Sequence, residues 1–442
     1  MTVTLSREKH TVTNARRPVR RERTDAPHQP MPVVAVTGAA GGIGRALTIR
    51  LASSPQVKRV IAIDGHRGDI AGVTWRVADV RDPALAGRLT GVDVVVHADF
   101  DLAPDSEARR RRAFNVRGAQ TVLTAAAAGR VGRVVLVTSA MVYGARPDNP
   151  VPLPEDAPLA ADADSSVAGD LLEVEQLARR SPRTNPGMAV TVVRPAALVG
   201  DALAPVDTLV TRHFEAPRLL AVKDCAPRWQ FCHVDDLTSA LEFAVGGGIE
   251  GNFAVGCDGW LEQDEVERIS GLKSIELPAR LTFGTAQRLH RLGVTPAPAM
   301  DLHYVVYPWV VDPAALREAG WRPQFDNATA LRVLLDQRQG RHAVAGRRIA
   351  RKEATITAAS ATVAVIGTAA IVRRARRRRH TDGREHAHDR PRADRLPLAS
   401  ERCAPDRRAV RRTVGGRGPG RGRGPRGGGH RAVRRGGPGQ RS

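Results

Sequence analysis

Cysteine is scarce in this chain of 442 residues, and its four cysteines show no Cys-x-x-Cys spacing. This scarcity favours a reduced, cytoplasmic protein without a zinc site. His380, His386 and His388 are too loosely spaced to indicate another metal site. The stretch before Met31 also lacks the apolar run of a secretory signal, so no export is expected.

Acidic residues are few beside the 68 basic ones, and the net charge is +22. The excess lies at the ends of the chain. Residues 373–442 hold 23 Arg and 6 acidic residues, a net +17, and residues 1–30 carry +4, which leaves +1 for residues 31–372. The central part is therefore nearly neutral, and nucleic acid is not expected as its partner.

A strand, a glycine turn and a helix follow one another within residues 33–51. The apolar run 33–36 is rich in β-branched residues, Gly38, Gly41 and Gly44 interrupt it, and apolar residues then recur at helical spacing. In such a unit the first glycine permits a tight turn, the second a close approach to a pyrophosphate, and the third close packing of helix on strand. No Gly-Lys-Ser/Thr follows, which argues against an ATPase-type P-loop.

The next predicted strand ends on an acid, Asp64, twenty residues after Gly44. A carboxylate there can accept hydrogen bonds from both ribose hydroxyls of an adenosine and would repel a 2′-phosphate, so NAD is favoured over NADP. Arg67 lies close enough to leave that preference open. The alternative is that the glycines serve packing alone and Asp64 is a solvated loop acid.

Further short motifs occur in order along the chain. They are Ala78-Asp-Val-Arg-Asp82, Val92-Asp-Val-Val-Val-His97-Ala98, Asn115-Val-Arg-Gly118, Val134-Val-Leu-Val-Thr-Ser139-Ala-Met-Val-Tyr143-Gly144, Val192-Val-Arg194-Pro195 and Gln230-Phe-Cys-His233-Val-Asp235-Asp236-Leu237. With the glycine turn, this series resembles the extended short-chain dehydrogenase/reductases, and in particular the NAD-dependent epimerase/dehydratase family of nucleotide-sugar enzymes. The resemblance covers residues 31–340.

The resemblance implies an NAD cofactor, a nucleotide sugar or similar small molecule as substrate, and a chain that could form a homodimer. The cofactor-binding residues that it implies are Thr37, Gly38, Gly41, Gly42, Ile43, Gly44, Asp64, Asp79, Val80, His97, Ala98, Arg194 and Pro195. Asp79 and Val80 would contact the adenine; the alternative for Asp79 is a turn acid that caps the following segment.

The catalytic pair of the superfamily is missing. Its members use a Tyr whose pKa is lowered by a Lys four residues later, with a Ser or Thr that holds the substrate hydroxyl. Ser139 matches the hydroxyl residue, but no Tyr-x-x-x-Lys exists here, and Val167 and Leu171 stand where the pair is expected. Ala140-Met141 replaces the acidic pair of the sugar dehydratases, which argues against dehydration.

Three side chains are candidates for the missing proton carrier. Tyr143 could act as a substitute acid, or it could be a packed Tyr beside the cleft. Asp170 and Glu173 could supply a carboxylate base, or they could be surface charges of a helix.

Strand-like runs near 33–37, 59–63, 73–77, 93–97, 133–139 and 190–194 alternate with helical runs near 43–52, 108–128 and 169–180. This alternation predicts an α/β fold, a doubly wound parallel (Rossmann) sheet. We expect a Rossmann domain over 31–200 and a smaller α/β substrate lobe over 201–345. Disordered basic tails are expected over 1–30 and 381–442, and a basic-flanked apolar helix over 346–380.

Residues 354–372 contain no charged residue, a length that suits a membrane span. Basic residues flank this segment on both sides, so membrane association and a merely apolar helix are both left open. For the whole chain, the first hypothesis is an NAD-dependent epimerase or reductase with an atypical active site. The second is an NAD-binding sensor or scaffold that has lost catalysis.

Overall fold

The computed structural model describes residues 31–200, 206–249, 251–292 and 298–346, the last nine of them by their backbone alone. The predictions on the two tails, on the apolar segment 354–372 and on the three C-terminal histidines fall outside these residues.

Seven parallel strands form the central sheet in the order β10-β6-β5-β4-β1-β2-β3. These strands are β1 (Val33–Thr37), β2 (Arg59–Asp64), β3 (Thr74–Val77), β4 (Val94–His97), β5 (Arg133–Val137), β6 (Ala189–Pro195) and β10 (Phe253–Val255). The six strands predicted from the sequence are all present. Two further pairs of strands lie outside this sheet: β7 (Ala197–Val199) with β9 (Phe231–His233), and β8 (Leu219–Val222) with β11 (Ser274–Leu277).

The helices fill the connections between the strands. They are α1 (Gly42–Ala52), α2 (Leu85–Arg88), α3 (Ala108–Ala128), α4 (Val167–Thr184), α5 (Leu209–Glu215), α6 (Val234–Val245), α7 (Gln263–Ser270), α8 (Ala279–Arg291), α9 (Ala314–Glu318) and α10 (Asn327–Gly346). Two 3-10 helices span Ala140–Tyr143 and Ala299–Val305.

Both faces of the sheet are buried. Successive side chains of a strand point to opposite faces, and those of β1 pack into two different core clusters. In β1, Val34 and Val36 belong to the core cluster that includes α1 and α6, whereas Val33 and Ala35 belong to the cluster formed with α2 and α3. Helices therefore cover the sheet on two sides, which confirms the doubly wound α/β fold. The sheet takes its edge strand β10 from beyond residue 200, where the sequence had suggested a domain boundary.

Candidate functional site

The glycine turn lies between β1 and α1, at the carboxyl end of the sheet. Gly38 and Gly42 adopt positive φ angles of 69° and 50°, a region that side chains with a Cβ rarely enter. A Cβ on Gly44 would lie 2.2 Å from the carbonyl oxygen of Gly38, so this glycine is required for the packing of helix on strand. A Cβ on Gly41 would meet no protein atom within 4 Å, so the backbone is bare on this side.

Helix α1 begins at this bare backbone. Gly41 is its N-cap and forms no side-chain cap bond, and the first turn contains no acidic residue. The N–H groups of a first helical turn have no partner within the helix and carry a partial positive charge. Thr37, Ile43 and the four glycines thus form a turn with the features of an anion site, as the sequence predicts for a pyrophosphate.

Asp64, at the end of β2, is tied to the glycine turn. Its Oδ2 accepts a hydrogen bond from the backbone N–H of Ala40 over 3.1 Å, and its Oδ1 accepts one from His66 N–H over 3.3 Å. Its side chain keeps 15% of its surface exposed. The carboxylate is therefore fixed beside the turn and still accessible, whereas Arg67 is fully on the outside.

A second carboxylate, Asp99, lies against the turn and was not predicted. A Cβ on Gly38 would come within 3.0 Å of the Asp99 Cβ. Burial, with smaller contributions from Asp64 and Asp79, raises the pKa of Asp99 to about 7. The sequence does contain an indication of this site residue, because Asp99 stands two residues after β4, at the same carboxyl edge of the sheet as the other site residues.

Asp79 and Val80 follow β3. Asp79 accepts hydrogen bonds from Arg81, one of them from Nε to Oδ1 over 2.9 Å, and its pKa is lowered chiefly by that bond. Val80 is buried, and a Cβ on Gly118 of α3 would lie 3.2 Å from its Cγ2. The Asp79 Oδ1 also accepts a hydrogen bond from the backbone N–H of Arg81 over 2.8 Å, so Asp79 is a turn acid; its contact with an adenine stays a prediction.

His97, at the end of β4, joins the turn through Thr37. The Thr37 Oγ1 and the His97 Nδ1 are 2.7 Å apart, and both side chains are completely buried. Burial lowers the pKa of His97 to about 3, so the imidazole is neutral at physiological pH. Its Nε2 has no hydrogen-bond partner within the described part of the chain, and Ala98 beside it is half-buried.

Arg194 and Tyr143 lie in a buried network beside Pro195. Arg194 pairs with Glu175, with its Nη2 2.6 Å from Oε2, and its Nη1 donates to the Tyr143 hydroxyl over 2.8 Å. The Tyr143 hydroxyl donates in turn to the carbonyl oxygen of Glu155 over 2.8 Å. Burial, opposed by Arg194, raises the pKa of Tyr143 above its ordinary value. Two predicted site residues, Arg194 and Tyr143, are thus engaged in holding the fold together.

The position of the missing catalytic pair is apolar. Val167 and Leu171, on successive turns of α4, form a buried cluster with Val142. The two candidate carboxylates of the same helix, Asp170 and Glu173, are also engaged. Arg111 donates from Nε to Asp170 Oδ2 over 2.8 Å, and Arg112 pairs with Glu173. Asp170 is completely buried, so the reading of this residue as a surface charge is wrong.

A cavity lies beside this apolar cluster, at the carboxyl ends of β5 and β6. Its volume is about 30 Å³. Ser139 lines it and caps the following 3-10 helix by accepting a hydrogen bond from Met141 N–H over 3.2 Å. Val167 is a second wall residue, and Ala196 and Ala197, which follow Pro195, are others. The structure thereby brings Ser139 close to the end of the predicted cofactor-binding segment.

Asp301 is the acidic residue among those that line this cavity, and the sequence did not indicate it. It lies in the 3-10 helix Ala299–Val305 and is 4% exposed. Burial raises its pKa to about 7. The residue also lines a neighbouring cavity that contains His303 and Tyr304. Its sequence surroundings contain no motif, and more than 150 positions separate it from Ser139, so no local pattern could have found it.

Two negative findings concern other classes of site. Within the part of the chain that the structure describes, no three His, Cys, Asp or Glu side chains are grouped so as to hold a metal ion. In the same residues, none of the helices combines the length and the apolar character needed to cross a bilayer.

The fold and the turn define an α/β protein of the dinucleotide-binding type. A family model for the NAD dependent epimerase/dehydratase family matches residues 34–256. An uncharacterised protein of Mycobacterium tuberculosis is 32% identical over 310 residues, which cover 67% of this chain and 82% of that protein. The chain therefore belongs to the NAD dependent epimerase/dehydratase family.

Solved structures share the fold at lower sequence identity. The dTDP-glucose 4,6-dehydratase of Streptomyces venezuelae, solved with NAD bound, is 23% identical with a TM-score of 0.54, covering 70% of this chain and 98% of that one. The UDP-glucose 4-epimerase of Thermus thermophilus, in complex with NAD, is 18% identical with a TM-score of 0.53, covering 70% and 99%.

Proposed function

We propose that the protein binds NAD at the glycine turn and uses it in an epimerase or reductase reaction on a nucleotide sugar or a similar polyhydroxylated molecule. The observation that carries this proposal is the pairing of the bare Gly41 backbone with an accessible Asp64 that is bonded to the same turn. NAD is present in the two similar structures named above, which supports the same cofactor here.

The residues of the turn fit a dinucleotide. The N–H groups at the start of α1 would receive the pyrophosphate, and the Asp64 carboxylate would accept the ribose hydroxyls. A 2′-phosphate would lie against the Asp64 carboxylate, so NADP is disfavoured. Bound NAD would supply a hydride acceptor, and the chain would orient the substrate against it.

On the substrate side, Ser139 would hold a hydroxyl group by hydrogen bonding in the cavity at the ends of β5 and β6. Ala140 and Met141 follow it, so the acidic pair of the sugar dehydratases is missing here, and epimerisation or reduction is favoured over dehydration. A cytoplasmic location and a homodimer stay predictions.

One observation favours a second function. Val167 and Leu171 are packed with Val142, so the usual catalytic pair is replaced by hydrophobic core. A sensor or scaffold that binds NAD without turning over a substrate would need the glycine turn and Asp64 but not that pair.

Calorimetry with NAD and NADP tests the binding proposal. We expect NAD to bind more tightly, Gly41→Val to abolish binding, and Asp64→Ala to lose about 1.5–3 kcal/mol, the usual value of hydrogen bonds to a charged group. Unchanged NAD affinity in both variants would refute the site.

Turnover then separates the two functions. We would incubate the NAD-loaded protein with UDP-glucose, with dTDP-glucose and with the free sugars, and measure epimerised or oxidised product. Product from any of these supports the enzyme, and tight NAD binding with no product from any of them supports the sensor or scaffold.

A further inference from the structure

Asp301 is a buried carboxyl group with an unpartnered oxygen. It is 4% exposed, and its Oδ1 has no hydrogen-bond partner within residues 31–200, 206–249, 251–292 and 298–346. Buried carboxyl groups are normally hydrogen-bonded or paired, because desolvation without compensation costs several kcal/mol. An unpaired one therefore needs an explanation.

Each of the other buried carboxylates among the described residues has a partner. Glu175 is paired with Arg194, and Asp170 is paired with Arg111 through Oδ2, although its Oδ1 is also without a hydrogen bond in these residues. Asp236 accepts hydrogen bonds from the backbone N–H groups of Gln324 and Phe325 over 2.8 and 3.1 Å. Each of these groups has an evident role in holding two segments together. Asp301 has no such role, since its side chain ties no segment to another.

The position of Asp301 supplies the explanation. Asp301 lines the same cavity as Ser139 and Val167. Ser139 is the residue expected to hold the substrate hydroxyl, and Val167 stands where the family's phenol is expected. A carboxyl group in this cavity can exchange a proton with a substrate oxygen, which no aliphatic wall residue can do.

The surroundings of Asp301 raise the pKa of its carboxyl group. Burial raises the pKa of Asp301 to about 7, the Asp164 and Asp170 carboxylates act in the same direction, and Arg111 opposes them. The charge of Arg111 is already engaged by Asp170 and by the carbonyl oxygen of Ser165. A group with a pKa near the working pH is the most effective general acid and base.

We propose that Asp301 is the proton donor and acceptor of the reaction, in place of the absent Tyr and Lys; this rests on the proposed NAD-dependent function. During oxidation the O–H bond of the substrate breaks and its proton moves to the Asp301 carboxylate. The C–H bond on the same carbon would break, with bound NAD supplying the acceptor for the hydride. In the return step the hydride would go back to the carbonyl carbon, and Asp301 would return the proton to the oxygen.

The first test replaces this carboxyl by an amide of the same shape, Asp301→Asn. NAD affinity should be unchanged by calorimetry, while turnover of UDP-glucose or dTDP-glucose should fall about 10²–10⁴-fold, the usual share of general acid–base catalysis. The matched control is Asp236→Asn, a buried carboxyl outside the cavity, which should cost stability and keep turnover within about threefold.

The second test needs no substrate. In the native chain Asp301 is protonated up to pH of about 7, whereas in the unfolded chain it ionises near 3.8. Native protein therefore binds the extra proton between these values, and the stability of wild type relative to Asp301→Asn should fall as the pH rises through this window. Urea unfolding at a series of pH values measures the difference.

The outcomes distinguish the two proposals. Failure to bind NAD, or binding without product from any sugar, overturns the proposed function and with it the role of Asp301. Turnover that survives in Asp301→Asn while NAD binds overturns the role of Asp301 alone. A stability difference that does not change between pH 4 and 7 also overturns it, because the carboxyl would then carry no proton.

Discussion

The guanidinium of Arg194 donates a hydrogen bond over 2.8 Å to the hydroxyl of Tyr143, which is itself 1% exposed and bonded to the Glu155 carbonyl oxygen. Both hydrogen bonds of the Tyr143 hydroxyl are thus made with other groups of the protein. A catalytic phenol would instead have to be accessible to a substrate. The two hydrogen bonds therefore indicate a structural role for Tyr143.

The variant Tyr143→Phe tests whether the role of Tyr143 is structural or catalytic. Loss of the hydroxyl leaves the Glu155 carbonyl with Arg194 Nη1 alone, and we expect a loss of about 1–3 kcal/mol in the free energy of unfolding. The turnover of the folded variant should stay within about threefold of wild type, since general acid–base loss would cost about 10²-fold or more. A larger loss of turnover at unchanged stability would identify Tyr143 as the proton carrier.

Substitutions at Gly41 and Gly44 of the turn should have different effects on stability and on NAD binding. Gly44→Ala places a Cβ 2.2 Å from a backbone oxygen, so we expect it to destabilise the NAD-free protein by about 1–3 kcal/mol. Gly41→Val introduces its side chain into a region without protein atoms and should leave the NAD-free stability nearly unchanged while abolishing NAD binding. Urea unfolding and calorimetry on both variants give the comparison, and equal effects of the two would contradict it.

The buried His97 predicts a pH dependence of stability. Its pKa is about 3 in the native protein and near 6.5 when unfolded, so the unfolded chain binds the extra proton between these values. The stability of wild type relative to His97→Asn should therefore fall as the pH falls from about 6.5 towards 3. A difference that stays constant over this range would contradict a buried, neutral imidazole at this position.

Comparison with the variant is necessary because other groups titrate in the same range. His213 behaves like His97, with a pKa lowered by burial to about 4. Asp99 and Asp301 act with the opposite sign, since their raised pKa makes stability fall as the pH rises towards 7. The wild-type curve alone mixes these contributions.

Restoring the lysine of the family should fail. Leu171 is completely buried and packs in the cluster with Val142 and Val167. A lysine there would bring an unpaired charge into apolar surroundings, and we expect Leu171→Lys to cost about 3–5 kcal/mol. Leu171→Met, which keeps size and polarity, should cost less than about 1.5 kcal/mol. Denaturant unfolding of both measures it; a well-folded lysine variant would show that the cluster tolerates charge.

Local patterns accounted for most of the fold and for the position of the glycine turn beside Asp64. The β-branched runs and the glycine turn are continuous in sequence, so β1, α1 and Asp64 could be found from spacing alone. Strand β10 was missed because three residues, Phe253–Val255, are too short to give a periodic signal. Its place in the sheet depends on β6, about sixty positions earlier.

The catalytic side could not be predicted in the same way. The burial of Asp170 depends on Arg111 of another helix, and the cavity that Asp301 lines is formed by segments distant in sequence. A sequence shows the charge of such residues but not their partners. The unpaired state of Asp301 became visible only when its surroundings were known.

Glu155 has a consequence for how the chain folds during synthesis. Its two carboxylate oxygens accept hydrogen bonds from the N–H groups of Ala254 in β10 and of Ala315 in α9, over 2.7 and 2.8 Å. The ribosome delivers Glu155 about 160 residues before Ala315. The edge of β6 therefore stays uncovered until β10 emerges about sixty positions after it, and one oxygen of Glu155 lacks its partner until Ala315 follows. An uncovered sheet edge is a site for wrong pairing.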